Sequence, residues 1–275
     1  MNPWFETAGV VLIAIFGAFA GRFFSRFHKP YWVLGYLIPA GLIAMLALVR
    51  FYPALAFVRP FVWMTAGRIR FVTLSLAVSM GLTVPLSRLP YKAEKLVVCL
   101  LMAGFVLWFS VLPFLIPAVL RGRLANLETH YDKNGVCRQT TGYTCGPAAA
   151  VTALGRLGLA AEEGELAVLS YASPVTGTLP ACLSAALQNR YRKDGLRCRY
   201  QRFASIDQLK RAGLTLAVVR EAFLKDHCLT VLDVSENAVT VADPVTGVRW
   251  MPHGEFEKIW RFSGIVLERS PIGRI

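Results

Sequence analysis

The sequence predicts two parts of different class: a multi-pass α-helical membrane region over residues 1–125, followed by an α+β domain over residues 126–275 that opens with helices and closes with an antiparallel sheet. Three observations lead there. Of 275 residues 55% are hydrophobic and only 17% charged, against roughly 25% charged in an ordinary soluble domain, which excludes disorder, a coiled coil and a plain cytosolic enzyme. The formal net charge of +13 belongs mostly to the apolar half: residues 1–125 carry 12 Lys/Arg against 2 Asp/Glu, the remainder 18 against 15. Finally, apolar runs of bilayer length fill the first half, while strand-length runs rich in Val, Leu, Ile and aromatics gather late in the second. The basic residues punctuate the hydrophobic runs instead of forming a stripe with interleaved aromatics, so no nucleic-acid partner is expected.

A bilayer crossing needs about 20 apolar residues, and Trp4–Ala20, Tyr31–Val49, Phe71–Leu86 and Leu96–Leu120 meet or approach that length. Arg22, Arg26, Lys29, Arg50, Arg68, Arg70, Arg88, Lys92, Lys95, Arg121 and Arg123 flank these runs, where long cations reach headgroups. Phe51–Gly67 is apolar too, but Pro53, Arg59 and Pro60 interrupt it; an arginine near a helix centre costs about 2.5–3.5 kcal/mol on insertion scales, so an interfacial or re-entrant segment is expected there. The first run ends in Ala18-Phe19-Ala20, which looks like a signal-peptidase site, yet its leading segment has no Lys or Arg and contains Glu6, and it is expected to stay as a span. With four spans the Lys/Arg counts on the two sides tie at six each; with Phe51–Gly67 as a fifth they become four against seven, and the heavier, cytoplasmic side then includes the C-terminal domain.

In the second half, Cys145-Gly-Pro-Ala-Ala-Ala-Val opens a helix, with Pro147 in a tolerated first-turn position and small residues that permit burial. Glu162–Tyr171 and Leu179–Tyr191 read as two more helices. Leu196–Phe203, Thr215–Arg220, His227–Val234, Ala238–Ala242 and Gly264–Glu268 read as strands, with Asp243-Pro-Val-Thr-Gly a turn between strands. About 145 residues suffice for one core.

The chemistry starts at Cys145. At a helix N-terminus the unpaired backbone N–H groups and the helix dipole favour negative charge, which suits a thiolate nucleophile. Taken alone, a cysteine is more often a small buried core residue. Gln139, six residues upstream, is close enough for its amide to point where charge develops on an attacked carbonyl. His227 opens a strand and Asp243 ends the next, sixteen residues on; a hairpin can set two such positions side by side, so that a carboxylate orients an imidazole.

Together, Gln139-Thr-Thr-Gly-Tyr-Thr-Cys145-Gly-Pro-Ala-Ala, His227-Cys-Leu-Thr-Val-Leu-Asp and Val241-Ala-Asp243-Pro-Val-Thr-Gly resemble the papain-like bacteriocin-processing cysteine peptidases, which cut after a double-glycine leader and are often fused to ABC transporters. The resemblance covers roughly Gly135–Glu268 and implies a papain-like fold for the second domain. It also implies roles: Gln139 the oxyanion donor, Cys145 the nucleophile, His227 the general base and Asp243 the orienting carboxylate. Glu165-Leu-Ala and Thr176-Gly-Thr178 are softer matches to the family's helix and substrate-groove loop. The sequence has no Walker A motif, and its membrane half precedes the peptidase, so a stand-alone membrane-anchored member without a transporter ATPase is expected.

The expected function is therefore a membrane-anchored thiol peptidase acting on a peptide or leader-type substrate, with no cofactor and no metal, since the six cysteines form no CxxC pair and lack a histidine at ligand spacing. Its expected partners are a peptide or protein substrate, the lipid bilayer and a separate transporter. An acyl transferase using the same Cys-His-Asp site is one alternative; a non-catalytic peptide-binding module of the same fold is another. Cys137 reads as an inert loop thiol, Cys228 as core filler on the strand face opposite His227, and His130 and His253 as surface residues. The basic run Arg190–Arg202 reads as a solvated face. The cysteines show no disulfide-framework spacing and a catalytic thiolate is easier to keep reduced in the cytosol, so the domain is expected on the cytoplasmic face.

Overall fold

A computed structural model of the chain describes residues 3–28, 30–65, 67–222 and 225–270; of the flanking cations above, Lys29 lies outside the described residues. The chain forms two compact units, Met1–Val119 and Leu120–Ile275.

The first unit is helical: α1 (Pro3–Ser25), α2 (Leu37–Phe51, entered through a 3-10 segment Tyr31–Tyr36), α3 (Phe61–Thr65), α4 (Ile69–Thr83), α5 (Lys92–Val106) and α6 (Leu112–Val119). Trp4–Ser25, Tyr31–Phe51 and Lys92–Val119 are long and apolar enough to cross a membrane. The stretch expected at Phe71–Leu86 forms the shorter α4, 15 residues or about 22 Å at 1.5 Å per residue. The run from Lys92 is not one regular helix, because a π-turn, Leu107–Val111, joins α5 to α6 just ahead of Pro113. Pro113 has no N–H to give the preceding turn and its ring crowds the carbonyl four residues back, which a wider turn relieves. Within 51–67 lie only a short 3-10 turn, Pro53–Phe57, and the five-residue α3 among the described residues.

The pairing of α1 with α4 organises this unit. Glu6 forms an ion pair with Arg68; a Cβ on Gly17 would collide with Ser79 Oγ and one on Gly21 with Thr83 Oγ1; Ser87 Oγ donates to Ser25 O at 3.1 Å. The separation along the chain is 62 in the first pair and 62 again in the last, so the two helices run in the same direction. Gly17 and Gly21 lie one turn apart and let the backbones approach, as small residues do at close helix crossings.

The second unit begins with α7 (Arg121–Ala125) and the short antiparallel pair β1 (His130–Tyr131) and β2 (Cys137–Arg138), followed by α8 (Cys145–Arg156), α9 (Glu163–Leu169) and α10 (Pro180–Tyr191). Then come β3 (Leu196–Arg202), α11 (Ile206–Ala212), β4 (Thr215–Arg220), β5 (Asp226–Val234), β6 (Ala238–Asp243), β7 (Gly247–Pro252), α12 (His253–Ile259) and β8 (Trp260–Arg269). Among the described residues six strands form an antiparallel sheet in the order β3-β8-β4-β5-β6-β7. Helices cover both faces. Ala148, Leu154, Leu183, Leu187, Leu216 and Ile265 form the core under α8 and α10, and Phe203, Leu209, Ala217, Val219, Phe256 and Val266 the core under α11 and α12. Successive residues of β4, Leu216 and Ala217, thus point into different cores, as strand alternation requires. A strand covered on both sides reads as the unbroken apolar run Leu216–Val219.

The segment α11, β7 and α12 adds elements that the sequence reading passed over, and the last strand starts at Trp260, earlier than the expected Gly264. Helix α9 stops at Leu169, short of the expected Tyr171, whose φ of +58° cannot continue a helix.

Gly164 sets how closely α9 and α7 approach, since a Cβ there would lie 2.6 Å from Leu124 O and 3.0 Å from Leu127 O. Backbone carbonyls cannot swing aside as a flexible side chain can. Gly164→Ala should therefore destabilise the second unit by about 1–3 kcal/mol, lowering its melting temperature by roughly 2–4 °C for each kcal/mol in a calorimetric scan of the purified chain. An unchanged melt would show that the α7–α9 contact is loose.

Candidate active site

Helix α8 begins at Cys145, and Gly146 through Leu154 are all buried. The run of alanines makes this possible, because only small side chains let a helix lie this close to a sheet. Thr230 Oγ1 of β5 donates to Ala149 O at 2.7 Å, tying the helix to the strand that carries His227. Cys145 itself stays half-exposed. Beside it, Thr178 donates its hydroxyl to Tyr143 O at 3.2 Å, and a Cβ on Gly146 would stand 3.0 Å from Thr178 Cβ, so the wall next to the thiol is narrow.

Strands β5 and β6 pair with Thr230 opposite Ala242. That register brings the end of β6, with Asp243, alongside the start of β5, where His227 stands. His227 Nε2 lies 2.9 Å from Asp243 Oδ1, with 11% and 8% of the two side chains exposed. Cys145 is near enough to the ring to shift its pKa, and since Nε2 serves the carboxylate, Nδ1 is the nitrogen left to face sulfur. Burial pulls the imidazole pKa down, but the hydrogen bonds to Asp243 and Cys145 and their charges outweigh it and bring it to about 9.

Asp243 is held below the usual carboxylate range. Burial works against its charge, yet the bond from His227, the Val245 N–H at 2.8 Å and the Thr246 hydroxyl at 2.9 Å prevail. The Asp243–Gly247 turn therefore does two things at once: its N–H and hydroxyl both bond the carboxylate, and Gly247 closes it at φ +87°.

Gln139 is joined to this turn through its backbone, whose N–H donates to Pro244 O at 3.1 Å. Its side-chain Nε2 donates to Thr141 O at 2.9 Å, while Oε1 is buried with no partner among the described residues. The amide nitrogen carries a second N–H beyond the one given to Thr141 O, and that is the donor an oxyanion could use.

The sequence reading missed Glu163. It is fully buried at the start of α9, and its carboxylate accepts from Thr140 N at 2.9 Å and from Thr140 Oγ1 at 2.7 Å. No motif marks it, since its partner lies 23 residues back along the chain.

The other candidates fall away. Cys137 is buried, and burial and the charge of Glu163 push its thiol up to about 12, the reverse of what a resolving thiol needs. Cys228 packs against the α8 core, and burial, then the neighbouring Cys145, raise its pKa well above normal. His130 is exposed, but His253 is only partly so, with its Nε2 buried and unpartnered among the described residues; it is the first residue of α12, and its backbone N–H donates to Asn237 O at 3.2 Å. In the basic run, Arg190 pairs with Glu165 at 2.6 Å, and Arg197, Arg199 and Arg202 are exposed.

A half-exposed thiol at a helix start, beside an imidazole that is bonded to a buried carboxylate, is the arrangement of a thiol hydrolase. The Peptidase C39 family matches residues 133–272, just over half of the chain; the protein belongs to that family and is a cysteine peptidase. An uncharacterized protein of Methanothermobacter marburgensis is 33% identical over 135 residues, covering 49% of this chain and 89% of its own. Another, of Methanothermobacter thermautotrophicus, is 26% identical over 143 residues, covering 52% and 94%. Among solved structures, a double glycine motif protease from an AMS/PCAT transporter, in complex with the leader peptide, is 17% identical with a TM-score of 0.42, covering 53% of this chain and 96% of that one. The peptidase domain of Streptococcus ComA, a bifunctional ABC transporter involved in quorum sensing, is 21% identical with a TM-score of 0.42, covering 48% and 96%.

The coupled pair makes stability depend on pH with opposite signs. His227, raised from 6.5 to about 9, contributes stability that is complete below pH 6.5 and is lost as the pH rises through 9. Asp243, lowered from 3.8, contributes stability present above that value and lost as the pH falls below it. An NMR titration of His227 should show a midpoint near 9 in the wild type and a clearly lower one in Asp243→Asn, whose melting temperature should fall less between pH 7 and 10. A wild-type midpoint below 7 would contradict the geometry.

Proposed function

We propose that the protein is a membrane-anchored peptidase that cleaves a leader-type peptide, with Cys145 as nucleophile, His227 as general base and acid, Asp243 as the orienting carboxylate and Gln139 as oxyanion donor. The observation that carries this reading is the His227–Asp243 hydrogen bond beside Cys145 at the start of α8, inside the family's matched region.

Each group takes one step in this reading. The Cys145 thiolate attacks the scissile carbonyl, and a cationic neighbour stabilises negative charge on that sulfur. The oxyanion that forms is met by the Gln139 amide and the backbone N–H of Cys145 at the start of α8. His227, still protonated at pH 7, gives its proton to the leaving amine, and a thioester remains on Cys145. The now neutral ring takes a proton from water, hydroxide oxygen displaces sulfur, and the acid product leaves. Asp243 keeps the ring in one orientation throughout. The proposed substrate carries a leader that ends in two glycines, the class on which the bacteriocin-processing peptidases act, and the narrow wall of Gly146 and Thr178 suits residues without side chains.

The purified full chain in detergent should cleave a synthetic peptide after a Gly-Gly junction, read by mass spectrometry, and Cys145→Ala should lose at least about 10³-fold in kcat/KM. Equal cleavage by Cys145→Ala, or indifference to replacing both glycines by valine, would sink the assignment.

The anchor is read as four crossings, α4 being the shortest. The parallel run of α1 and α4 supports this, because two parallel helices need an odd number of crossings between them and Tyr31–Phe51 supplies one. The chain then leaves the helical unit on the side where it began, the cytoplasmic side if the thiol is to stay reduced. A fluorescent protein fused at either terminus should glow and alkaline phosphatase at either should stay inactive; opposite signals at the two termini would refute the four-crossing topology.

A further inference from the structure

The peptide that carries Gln139 is gripped on both sides. Ahead of it, the Gln139 N–H is held by Pro244 O at 3.1 Å, on the turn of Asp243. Behind it, the Thr140 N–H and hydroxyl are both held by the Glu163 carboxylate, and the Thr141 N–H by Thr144 Oγ1 at 3.2 Å, one residue before Cys145. Glu163 is the unexpected member. A fully buried carboxylate is costly unless its oxygens are hydrogen-bonded, and here both oxygens go to a single residue.

That residue offers two donors, and a carboxylate is the side chain with two acceptors in one plane. An amide would set its own N–H against one of them. The docking of α9 does not need these bonds, since Gly164 and the Glu163 N–H, which donates to Thr129 Oγ1 at 2.9 Å, already join it to the preceding segment. What the two bonds fix is the backbone on the far side of Gln139.

We infer that Glu163 is a positioning residue for the oxyanion donor: its buried carboxylate locks Thr140 and so aims the Gln139 amide toward the carbonyl that Cys145 attacks. The inference rests on the proposed role of Gln139. It does not make Glu163 a catalytic residue, because Glu163 acts only through its neighbour.

Alkylation of a thiolate by iodoacetamide expels iodide and builds no oxyanion, whereas peptide cleavage does, so the two reactions separate positioning from folding. In the full chain, Glu163→Gln should lower kcat about 10- to 100-fold with KM held within about twofold, while Cys145 is alkylated at nearly the wild-type rate. Gln139→Ala should show the same split, and the double variant should be no slower than Gln139→Ala alone, since two residues acting as a unit are not additive. Thr140→Val removes the hydroxyl, and with it one of the two Glu163 bonds and the 3.2 Å contact to Glu128 O, without touching a charge, and should reproduce the split more mildly; it carries the test if Glu163→Gln does not fold. A parallel fall in alkylation, or losses that add in the double variant, would overturn the proposal. Full kcat in Gln139→Ala would instead remove the oxyanion role itself and this inference with it, and a slow Gln139→Ala beside an unimpaired Glu163→Gln would remove only the inference.

Discussion

The close seating of α8 on the sheet is the constraint on which the peptidase unit depends. Ala148, Ala149, Ala150 and Ala153 are fully buried, and no larger residue at those points would let the helix approach. Each buried methyl contributes about 0.8 kcal/mol, a modest sum; the larger effect is geometric. By bringing α8 against β5, the alanines fix where Cys145 stands relative to His227, and the Thr230–Ala149 hydrogen bond prevents the helix from sliding along the strand.

Around that contact the polar groups form one connected layer. Pro244 O, Thr246 and the Val245 N–H belong to a single turn, and they engage both the Gln139 backbone and the Asp243 carboxylate. Arg138 adds a bond to Val245 O from the strand before Gln139. A change in the turn is thus felt at two points of the site, which makes the layer stiff. In a partly dehydrated setting, stiffness of this kind is what lets donors stabilise charge without first rearranging.

Much of this was legible in the sequence because it is local. The helix start at Cys145-Gly-Pro, the strand ends near Arg220 and Val234, and the turn at Asp243-Pro-Val-Thr-Gly are set by short-range chemistry, and each lies within a residue or two of its expected place. Asp243 invited two readings, turn former and orienting carboxylate, and the structure realises both in one side chain. Helix α11 carried a signal that was passed over: Ser205 caps it by accepting from the Gln208 N–H, and Gly213 ends it at φ +73°, a start and stop that can be read directly. Glu163 was not legible. Nothing in Glu162-Glu163-Gly-Glu165 says which of three carboxylates turns inward, because that depends on Thr140, which approaches only in the folded chain. The break in the helix at Leu107–Val111 follows from Pro113 and could have been anticipated; the parallel pairing of α1 and α4 could not.

That pairing has a consequence for how the chain is made. Helix α1 is synthesised first, but the face bearing Gly17 and Gly21 finds its partner only when Ser79 and Thr83 emerge, 62 residues after each glycine, the spacing seen again between Glu6 and Arg68. At about 5–20 residues per second, that is a delay of several seconds, during which the flat glycine face and the Glu6 carboxylate stay without their neighbours. The first half of the chain therefore cannot reach its final packing one hairpin at a time.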